Sequence, residues 1–180
     1  CGCGNGRNTI ELAKRGWCAV GTDFVPRALR IARARARDTG VADRVQFLDC
    51  DLRTTPIPFP DESFNLIIDT MFMNLLDQDA RMHYGREVAR VLQAEGGAFF
   101  FYTIAAESLV AQHFIELAPG QEPNSFIVPE TDIAQYTFTV PALLDMFPAL
   151  RLQSLLVLSE NVCMAERNLD LLFYTGVMVS

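Results

Sequence analysis

The sequence predicts an α/β fold, a doubly wound and mostly parallel sheet with helices on both of its faces. A glycine-rich segment at the start of the chain, Cys1 to Gly6, runs directly into a helical pattern. Short apolar runs then alternate with amphipathic stretches, which is the pattern of a parallel sheet covered by helices. One of these runs, Phe64–Asp69, is almost continuously apolar, as is typical of a strand buried on both faces.

The first helix, strand and second helix follow from local signals. A helix after the glycines carries apolar residues on one face. It ends near Gly16, because glycine is favoured at the position that follows a helix. The run Trp17–Asp23 predicts a buried strand that ends on an acid. A helix then begins at Pro26 and ends before Gly40. Its arginines are predicted to form a solvated face: Arg27, Arg30, Arg33, Arg35 and Arg37.

The middle of the chain continues the alternation of strands and helices. The predicted elements are a strand at Val45–Asp49, a proline-rich loop over 53–63, a strand at Phe64–Asp69, a helix from Asp77 to Gln93, and a strand at Ala98–Thr103 after the turn at Gly96 and Gly97. Strands separated by helices of this length are expected to lie parallel in one sheet.

The last part of the chain departs from this alternation. Its predicted elements are a helix from about Ala105 to Leu117, a loop over 119–125, a short helix from Thr139 to about Phe147, and two long strands, Leu150–Leu158 and Leu169–Val179, joined by a polar connection. Residues 104–149 interrupt the regular pattern. We therefore expect this insert to fold over the functional site as a lid.

Composition limits the classes of function. The 180 residues suit one domain, residues 1–180, with its own core. The net charge of −7 and the pI near 4.8 argue against a nucleic-acid binder, which needs a basic face. No apolar run is long enough for a membrane span, and no secretory signal is visible, so we predict a cytoplasmic protein. The five cysteines have neither disulfide nor metal-site spacing, and no bound metal is expected.

The glycine segment has the chemistry of a nucleotide-binding loop. Gly2, Gly4 and Gly6 allow the backbone to approach a ligand, and a helix that begins behind them directs its free N–H groups at that ligand. A dinucleotide fingerprint would need a glycine at position 7, where this chain has Arg7, so NAD is disfavoured. A plain glycine-rich turn is the alternative.

Asp23 ends the strand that follows the loop, 19 positions after Gly4. A carboxylate at this distance is placed to accept hydrogen bonds from both hydroxyls of a ribose. The alternative is an acid that caps the helix beginning at Pro26. The glycine loop favours the ribose role.

These segments resemble class I methyltransferases that depend on S-adenosylmethionine (SAM). Gly2–Gly6 and Val20–Asp23 are similar to the first motif of that family and its following acid, and further similarity lies in Val45–Asp51, Pro58–Asp69 and Arg86–Gly97. The resemblance covers residues 1 to about 103. It implies a Rossmann-like fold, SAM as cofactor, and an antiparallel hairpin at the sheet edge for the last two strands. It also implies a strand before the glycine loop, which we expect to be missing from this chain.

The resemblance implies roles for residues near the loop. Gly2, Cys3 and Gly4 would contact the methionine and ribose portions of SAM through their backbone, and Asp23 would accept the ribose hydroxyls. Phe24 would stack on the adenine ring, although a phenylalanine in the core is equally expected at that position.

Three further residues complete the implied cofactor set. Asp51 would accept a hydrogen bond from the adenine amino group, with Asp49 as the competing choice. Leu52 would cover the ring, and Asp69 would bind the ammonium group of SAM through its side chain or carbonyl. Methyl transfer is an in-line displacement that needs no protein nucleophile, so no catalytic residue is assigned.

The acceptor site is expected beyond the carboxyl ends of the strands. Residues there suggest an apolar pocket, although each alone is more typical of a core: Met71, Phe72, Met73, Tyr102, Phe114, Phe126 and Tyr136. His83 and His113 are candidate general bases, with a surface or core role as the alternative.

Two functions remain open. The first is methyl transfer from SAM to a small molecule, as in methyltransferases of quinone biosynthesis, with protein acceptors still possible. The alternative is a non-catalytic or degenerate SAM-binding domain with a role in regulation or assembly. The sequence Asp69-Thr70-Met71-Phe72 lacks the motif of methyltransferases that act on bases in DNA. The sequence gives no indication of an oligomeric state.

Overall fold

The computed structural model of the protein describes residues 1–164 and 167–180. The chain divides into two compact units, an N-terminal unit of residues 1–57 and a C-terminal unit of residues 58–180. Each unit combines strands with helices. The prediction of an α/β fold is confirmed.

The N-terminal unit is built on two parallel strands. Its elements are α1 (Arg7–Lys14), β1 (Ala19–Asp23), α2 (Pro26–Asp38), a 3₁₀ helix (Ala42–Arg44) and β2 (Val45–Asp49). In the register of the two strands, Asp23 lies opposite Asp49. Both strands therefore end on an acid at the same edge of the sheet.

The core of this unit lies between the helices and one face of the strands. Leu29, Ala32 and Ala36 recur on one side of α2 and are buried. They pack with Ile10 and Ala13 of α1, and with Val41 and Phe47. The five arginines of α2 are exposed, as predicted. Apolar spacing thus fixes which side of each helix faces the strands.

Gly6 marks the point where the loop becomes α1. Its backbone is left-handed, with a φ of 77°, and its carbonyl accepts a hydrogen bond from the amide of Ile10. A Cβ at this position would lie 2.9 Å from the Cβ of Ala32 and 2.9 Å from a ring carbon of Phe47. Glycine is therefore required here both by conformation and by space.

The C-terminal unit is larger and mixed. Its elements are β3 (Leu66–Thr70), a 3₁₀ helix (Met73–Leu75), α3 (Gln78–Val91), β4 (Ala98–Ile104), α4 (Leu109–Leu117), β5 (Ser125–Val128), β6 (Ile133–Tyr136), α5 (Val140–Met146), β7 (Arg151–Met164) and β8 (Arg167–Val179). Four of the strands form one sheet in the order β3-β4-β8-β7, and β5 and β6 form a separate antiparallel pair.

In the large sheet, β8 runs opposite to the other three strands. β3 and β4 are parallel, whereas β8 is antiparallel to β4 and β7 is antiparallel to β8. The expected antiparallel hairpin at the C-terminal edge is confirmed. β7 is an edge strand and exposes large apolar side chains, since Leu156 is 63%, Val157 57% and Leu158 44% exposed.

An aromatic core joins this sheet to its helices. The ring centroids of Phe99 on β4 and Phe147 lie 4.7 Å apart, and Tyr84 on α3 packs edge-on against Phe147 at 6.4 Å. Phe99, Phe147 and Tyr84 are all completely or almost completely buried. Burial of rings of this size dominates the stability of a small core.

Five elements differ from the sequence prediction. Helix α4 begins at Leu109 rather than near Ala105, because the side chain of Ser108 accepts a hydrogen bond from the amide of Ala111 and caps the helix there. β7 and β8 extend to Met164 and Arg167, through the predicted polar connection. β5 and β6 were not predicted. The strands predicted at 17–23, 45–49, 64–69 and 98–103 agree with the structure within two residues.

Candidate cofactor-binding site

The glycine loop is held against the end of β1 by backbone hydrogen bonds. The amide of Cys3 donates to the carbonyl of Thr22 at 2.7 Å, and the amide of Gly6 donates to the carbonyl of Cys3 at 2.9 Å. Gly2 and Gly4 both have positive φ angles, 56° and 52°. A Cβ on Gly4 would meet no atom within 4 Å, so this side of the loop is open.

Asp23 closes the loop onto the strand. Its Oδ2 accepts a hydrogen bond from the amide of Gly4 at 2.7 Å, and its Oδ1 accepts one from the amide of Val25 at 2.9 Å. Each carboxylate oxygen has a second lone pair, so Asp23 can still accept two further hydrogen bonds. The capping position of α2 is Val25, which has no side-chain cap, so Asp23 is not the helix cap itself.

Gly21 and Thr9 support the loop and were missed by sequence reasoning. A Cβ on Gly21 would lie 2.8 Å from Oγ1 of Thr9 and 3.0 Å from the side chain of Cys3. The glycine in β1 therefore provides the space in which the loop packs. A glycine inside a predicted strand is the signal of such a close approach.

Cys3 is a neutral thiol in this setting. Burial and, to a smaller extent, the carboxylate of Asp23 raise the pKa of Cys3 to about 11. A thiol with this pKa is a poor nucleophile and a poor metal ligand at neutral pH. Cys3 therefore contributes its backbone to the loop, and its side chain serves packing.

Phe24 and Asp51 lie on a common surface next to the strand ends. Phe24 is 43% exposed, so it is not a core residue. The guanidinium carbon of Arg53 lies 4.3 Å from the centroid of the Phe24 ring. Leu52, between the acid and the arginine, is buried. Asp49, the competing acid, is exposed at the end of β2.

The carboxylate of Asp51 forms a two-pronged ion pair with Arg53. Nε of Arg53 donates to Oδ1 at 2.8 Å and Nη2 donates to Oδ2 at 2.7 Å. The backbone amide of Arg53 also donates to Oδ1, at 3.1 Å. These hydrogen bonds lower the pKa of Asp51 below its ordinary range. Asp51 is therefore an ionised acceptor at neutral pH.

Asp69 lies inside the C-terminal unit and its carboxylate is completely buried. Oδ2 accepts a hydrogen bond from the hydroxyl of Tyr84 at 2.8 Å, and Oδ1 accepts one from the amide of Phe72 at 2.9 Å and a longer one from the amide of Met73 at 3.4 Å. Burial raises the pKa of Asp69 above its ordinary value. The contact predicted between Asp69 and the ammonium group of SAM stays a prediction.

Four of the residues proposed for an acceptor pocket come together in the C-terminal unit. They are Met71, Tyr102, Phe114 and Phe126, in a cluster with Ile104 and Phe173. The rings of Tyr102 and Phe173 are stacked with centroids 4.6 Å apart, and those of Phe114 and Phe126 are stacked at 5.2 Å. Met71 has a left-handed backbone with a φ of 72°.

The other three residues proposed for that pocket lie elsewhere. Phe72 and Met73 are buried, and Phe72 packs on the ring of Tyr84. Tyr136 lies under the guanidinium of Arg81 at 4.6 Å. Arg81 also forms an ion pair with Glu122 at 2.5 Å.

The structure reveals a carboxylate and phenol pair that the sequence did not suggest. The hydroxyl of Tyr174 donates to Oε2 of Glu107 at 2.5 Å. Burial and this hydrogen bond raise the pKa of Tyr174 to about 12. The pair depends on the register of β4 with β8, which places Tyr174 opposite Thr103. His83 and His113 are half-buried, and their role as bases stays a prediction.

In residues 1–164 and 167–180, no group of three or more His, Cys, Asp or Glu side chains is placed to hold a metal ion. Over the same residues, the helices are too short or too polar to cross a membrane.

Known proteins with similar sequences include methyltransferases. Residues 1–96 match a family model described as a methyltransferase domain. The methyltransferase GfsG of Streptomyces halstedii is 37% identical over 98 residues, which are 53% of this chain and 33% of that protein. A demethylmenaquinone methyltransferase of Tropheryma whipplei is 34% identical over 95 residues, which are 53% of this chain and 36% of that protein. The chain thus matches about a third of the length of these relatives.

A solved methyltransferase structure has a similar fold. A SAM-dependent methyltransferase from Methanosarcina mazei superposes with a TM-score of 0.81 at 22% identity, over 98% of this chain and 88% of that one. This likeness confirms the Rossmann-like fold. The family model covers more than half of the chain and includes the glycine loop, Asp23 and Asp51. The chain therefore belongs to the methyltransferase domain family, and its cofactor is S-adenosylmethionine.

Proposed function

We propose that the protein transfers a methyl group from SAM to a small, largely apolar acceptor. The observation that carries this proposal is the hydrogen bond between the amide of Gly4 and the carboxylate of Asp23. It joins the glycine loop and the acid at the end of β1 into one element. That element has open space on the loop and unused acceptor capacity on the carboxylate.

The residues of the N-terminal unit fit the parts of the cofactor. The backbone of Gly2, Cys3 and Gly4 would hold the methionine and ribose portions, and the two oxygens of Asp23 would each accept one ribose hydroxyl. A ribose diol needs two acceptors on one rigid group, which a carboxylate fixed by two backbone amides provides.

The adenine end of the cofactor needs an aromatic surface and an acceptor. Phe24 offers an exposed ring, and Asp51 offers an ionised carboxylate beside it. Adenine presents a flat π face and an amino group that donates two hydrogen bonds, so the two side chains match its two recognition features.

The bound cofactor supplies a methyl group that is already activated for displacement. The chain would therefore contribute orientation and exclusion of water, and orientation alone is worth about 7–11 kcal/mol in favourable cases. The stacked rings of Tyr102 and Phe173 and of Phe114 and Phe126 support an apolar acceptor. A relative named for demethylmenaquinone, an apolar ring compound, is consistent with this class.

Calorimetry on the full-length protein tests the proposal. S-adenosylhomocysteine, the product form of the cofactor, is expected to bind at one site, and NAD is expected not to bind. Transfer of a labelled methyl group from SAM into a metabolite extract then tests catalysis. Binding without transfer into any extract would support the non-catalytic alternative, and absence of binding would refute the cofactor assignment.

A further inference from the structure

Arg53 covers the two groups that the proposed function assigns to adenine, and the inference drawn here rests on that function. Its guanidinium lies over the ring of Phe24 at 4.3 Å and holds both oxygens of Asp51 at 2.8 and 2.7 Å. One side chain thus bridges the aromatic surface and the acceptor.

The spacing between Arg53 and Phe24 leaves no room for a nucleobase. Carbon atoms in contact are about 3.5–4.0 Å apart, so a flat ring inserted between two other flat groups needs about 7 Å between them. The observed 4.3 Å is the distance of direct contact. Adenine can reach this face of Phe24 only after the guanidinium has left it.

The hydrogen bonds of Asp51 lead to the same conclusion. Oδ1 accepts from both Nε and the backbone amide of Arg53, which uses both of its lone pairs. Oδ2 accepts from Nη2. An adenine amino group would therefore find a single remaining lone pair on the carboxylate. Departure of the guanidinium releases one acceptor position on each oxygen.

The turn that carries Arg53 is fixed independently of its side chain. The carbonyl of Asp51 accepts hydrogen bonds from the amides of Thr54 and Thr55 and from the hydroxyl of Thr55. The Arg53 side chain is 44% exposed. The guanidinium can therefore swing into solvent, where it is fully hydrated, while the backbone of the turn stays in place.

We propose that Arg53 is a displaceable cap on the adenine site, which competes with adenine for Phe24 and Asp51 and thereby lowers the affinity for the cofactor. An exposed cation–π contact and an exposed ion pair are each weak. The cap is therefore weak enough for the cofactor to displace, and its return after the reaction assists release of the product.

The test compares the affinities of S-adenosylhomocysteine and of adenosine for the wild-type full-length protein and for Arg53→Gln. Loss of the two competing contacts is expected to raise both affinities about three- to tenfold. It is also expected to raise the association rate measured by stopped flow. Arg30→Gln, which removes an exposed arginine from α2 in the same unit, is the matched control and is expected to leave both affinities unchanged.

An unchanged or lower affinity of a folded Arg53→Gln variant would overturn the proposal, and a lower one would identify Arg53 as a ligand of adenine. If Arg53→Gln does not fold, Arg53→Lys decides, because lysine keeps the charge but loses the flat, two-pronged contact. Its affinities are expected to rise by a smaller factor. Failure of the wild-type protein to bind either probe would refute the proposed function itself.

Discussion

The hydroxyl of Tyr84 donates a 2.8 Å hydrogen bond to the carboxylate of Asp69, and both side chains are completely buried. The bond joins α3 to the end of β3. Two backbone amides, from Phe72 and Met73, bind the other oxygen of Asp69. Even with these donors, loss of water around the carboxyl raises its pKa, so the interior of this unit favours the protonated acid.

Asp69→Asn is expected to flatten the pH dependence of stability. Because the pKa of Asp69 is raised in the folded state, the carboxyl contributes its full stabilisation at pH values below the ordinary pKa of an aspartate. This stabilisation is lost as the pH rises through the raised value. Asparagine keeps an acceptor for the two amides and does not titrate. Urea unfolding at a series of pH values measures the difference in slope.

The control for this prediction is Asp145→Asn, which replaces an exposed acid on α5 in the same unit. Its pH dependence should equal that of the wild-type protein. If the stability of the wild-type protein rose relative to that of Asp69→Asn with increasing pH, the pKa of Asp69 would not be raised in the folded state.

Asp23→Ala is expected to weaken binding of S-adenosylhomocysteine by about 1–3 kcal/mol, because it removes hydrogen-bond acceptors from buried or ligand-bound donors. It also leaves the amides of Gly4 and Val25 without their partner. Titration calorimetry measures the loss. Asp43→Ala, in the exposed 3₁₀ helix of the same unit, should bind like the wild-type protein. Equal affinities for the two variants would rule out Asp23 as the ribose acceptor.

Gly6→Ala is expected to destabilise the protein more than Gly40→Ala. Both glycines have positive φ angles, 77° and 70°, so alanine at either position costs about 1–2 kcal/mol in conformation. Only at Gly6 would the new Cβ also press on Ala32 and Phe47, whereas the space at Gly40 is open. Overpacking adds about 1–3 kcal/mol. The free energies of unfolding of the two variants are measured in urea, and the difference between their losses is the cost of the steric contact at Gly6. Equal losses would show that this contact costs nothing.

Asn74→Ala is expected to cost about 1–3 kcal/mol of stability, the usual loss when buried polar groups lose their partners. The buried amide of Asn74 donates to the carbonyl of Tyr136 at 2.6 Å, and its oxygen accepts from the hydroxyl of Thr103 at 2.9 Å. It thereby ties β6 to β4. Asn65→Ala, which removes an exposed amide bound to Gln93, should change stability by less than about 0.5 kcal/mol. Comparable losses in thermal or urea unfolding would contradict this difference.

The parts of the site that depend on nearby residues could be predicted from sequence. The glycine loop, α1 and β1 form one short unit, so the spacing of Gly4 and Asp23 was enough to anticipate that the end of β1 meets the loop. The predicted positions of the strands and helices likewise follow from apolar spacing. The hydrogen bonds of the loop and the length of α1 determine where the end of β1 meets the loop. Both depend on residues that are close together in the sequence.

The contacts that sequence reasoning missed depend on distant pairing or on short elements. Tyr174 meets Glu107 only because β8 pairs with β4 in one register, and no local signal specifies that register. β5 and β6 have four residues each, too few to show a period. β7 continues through Glu160 and Asn161, which are polar residues typical of a connection but which here are exposed in the strand and pair with Leu171 and Asp170 of β8.

The edge strand β7 of the four-stranded sheet has a practical consequence for handling the protein. From Leu152 to Ser159, β7 carries no charged residue, and its middle exposes Leu156, Val157 and Leu158. Amide and carbonyl groups along such an edge can template a strand from a neighbouring molecule. Self-association through this edge would increase with protein concentration, whereas burial of the aromatic rings stabilises the fold against heat. A sample can therefore have a fold that is stable to heat and still aggregate when the protein is concentrated.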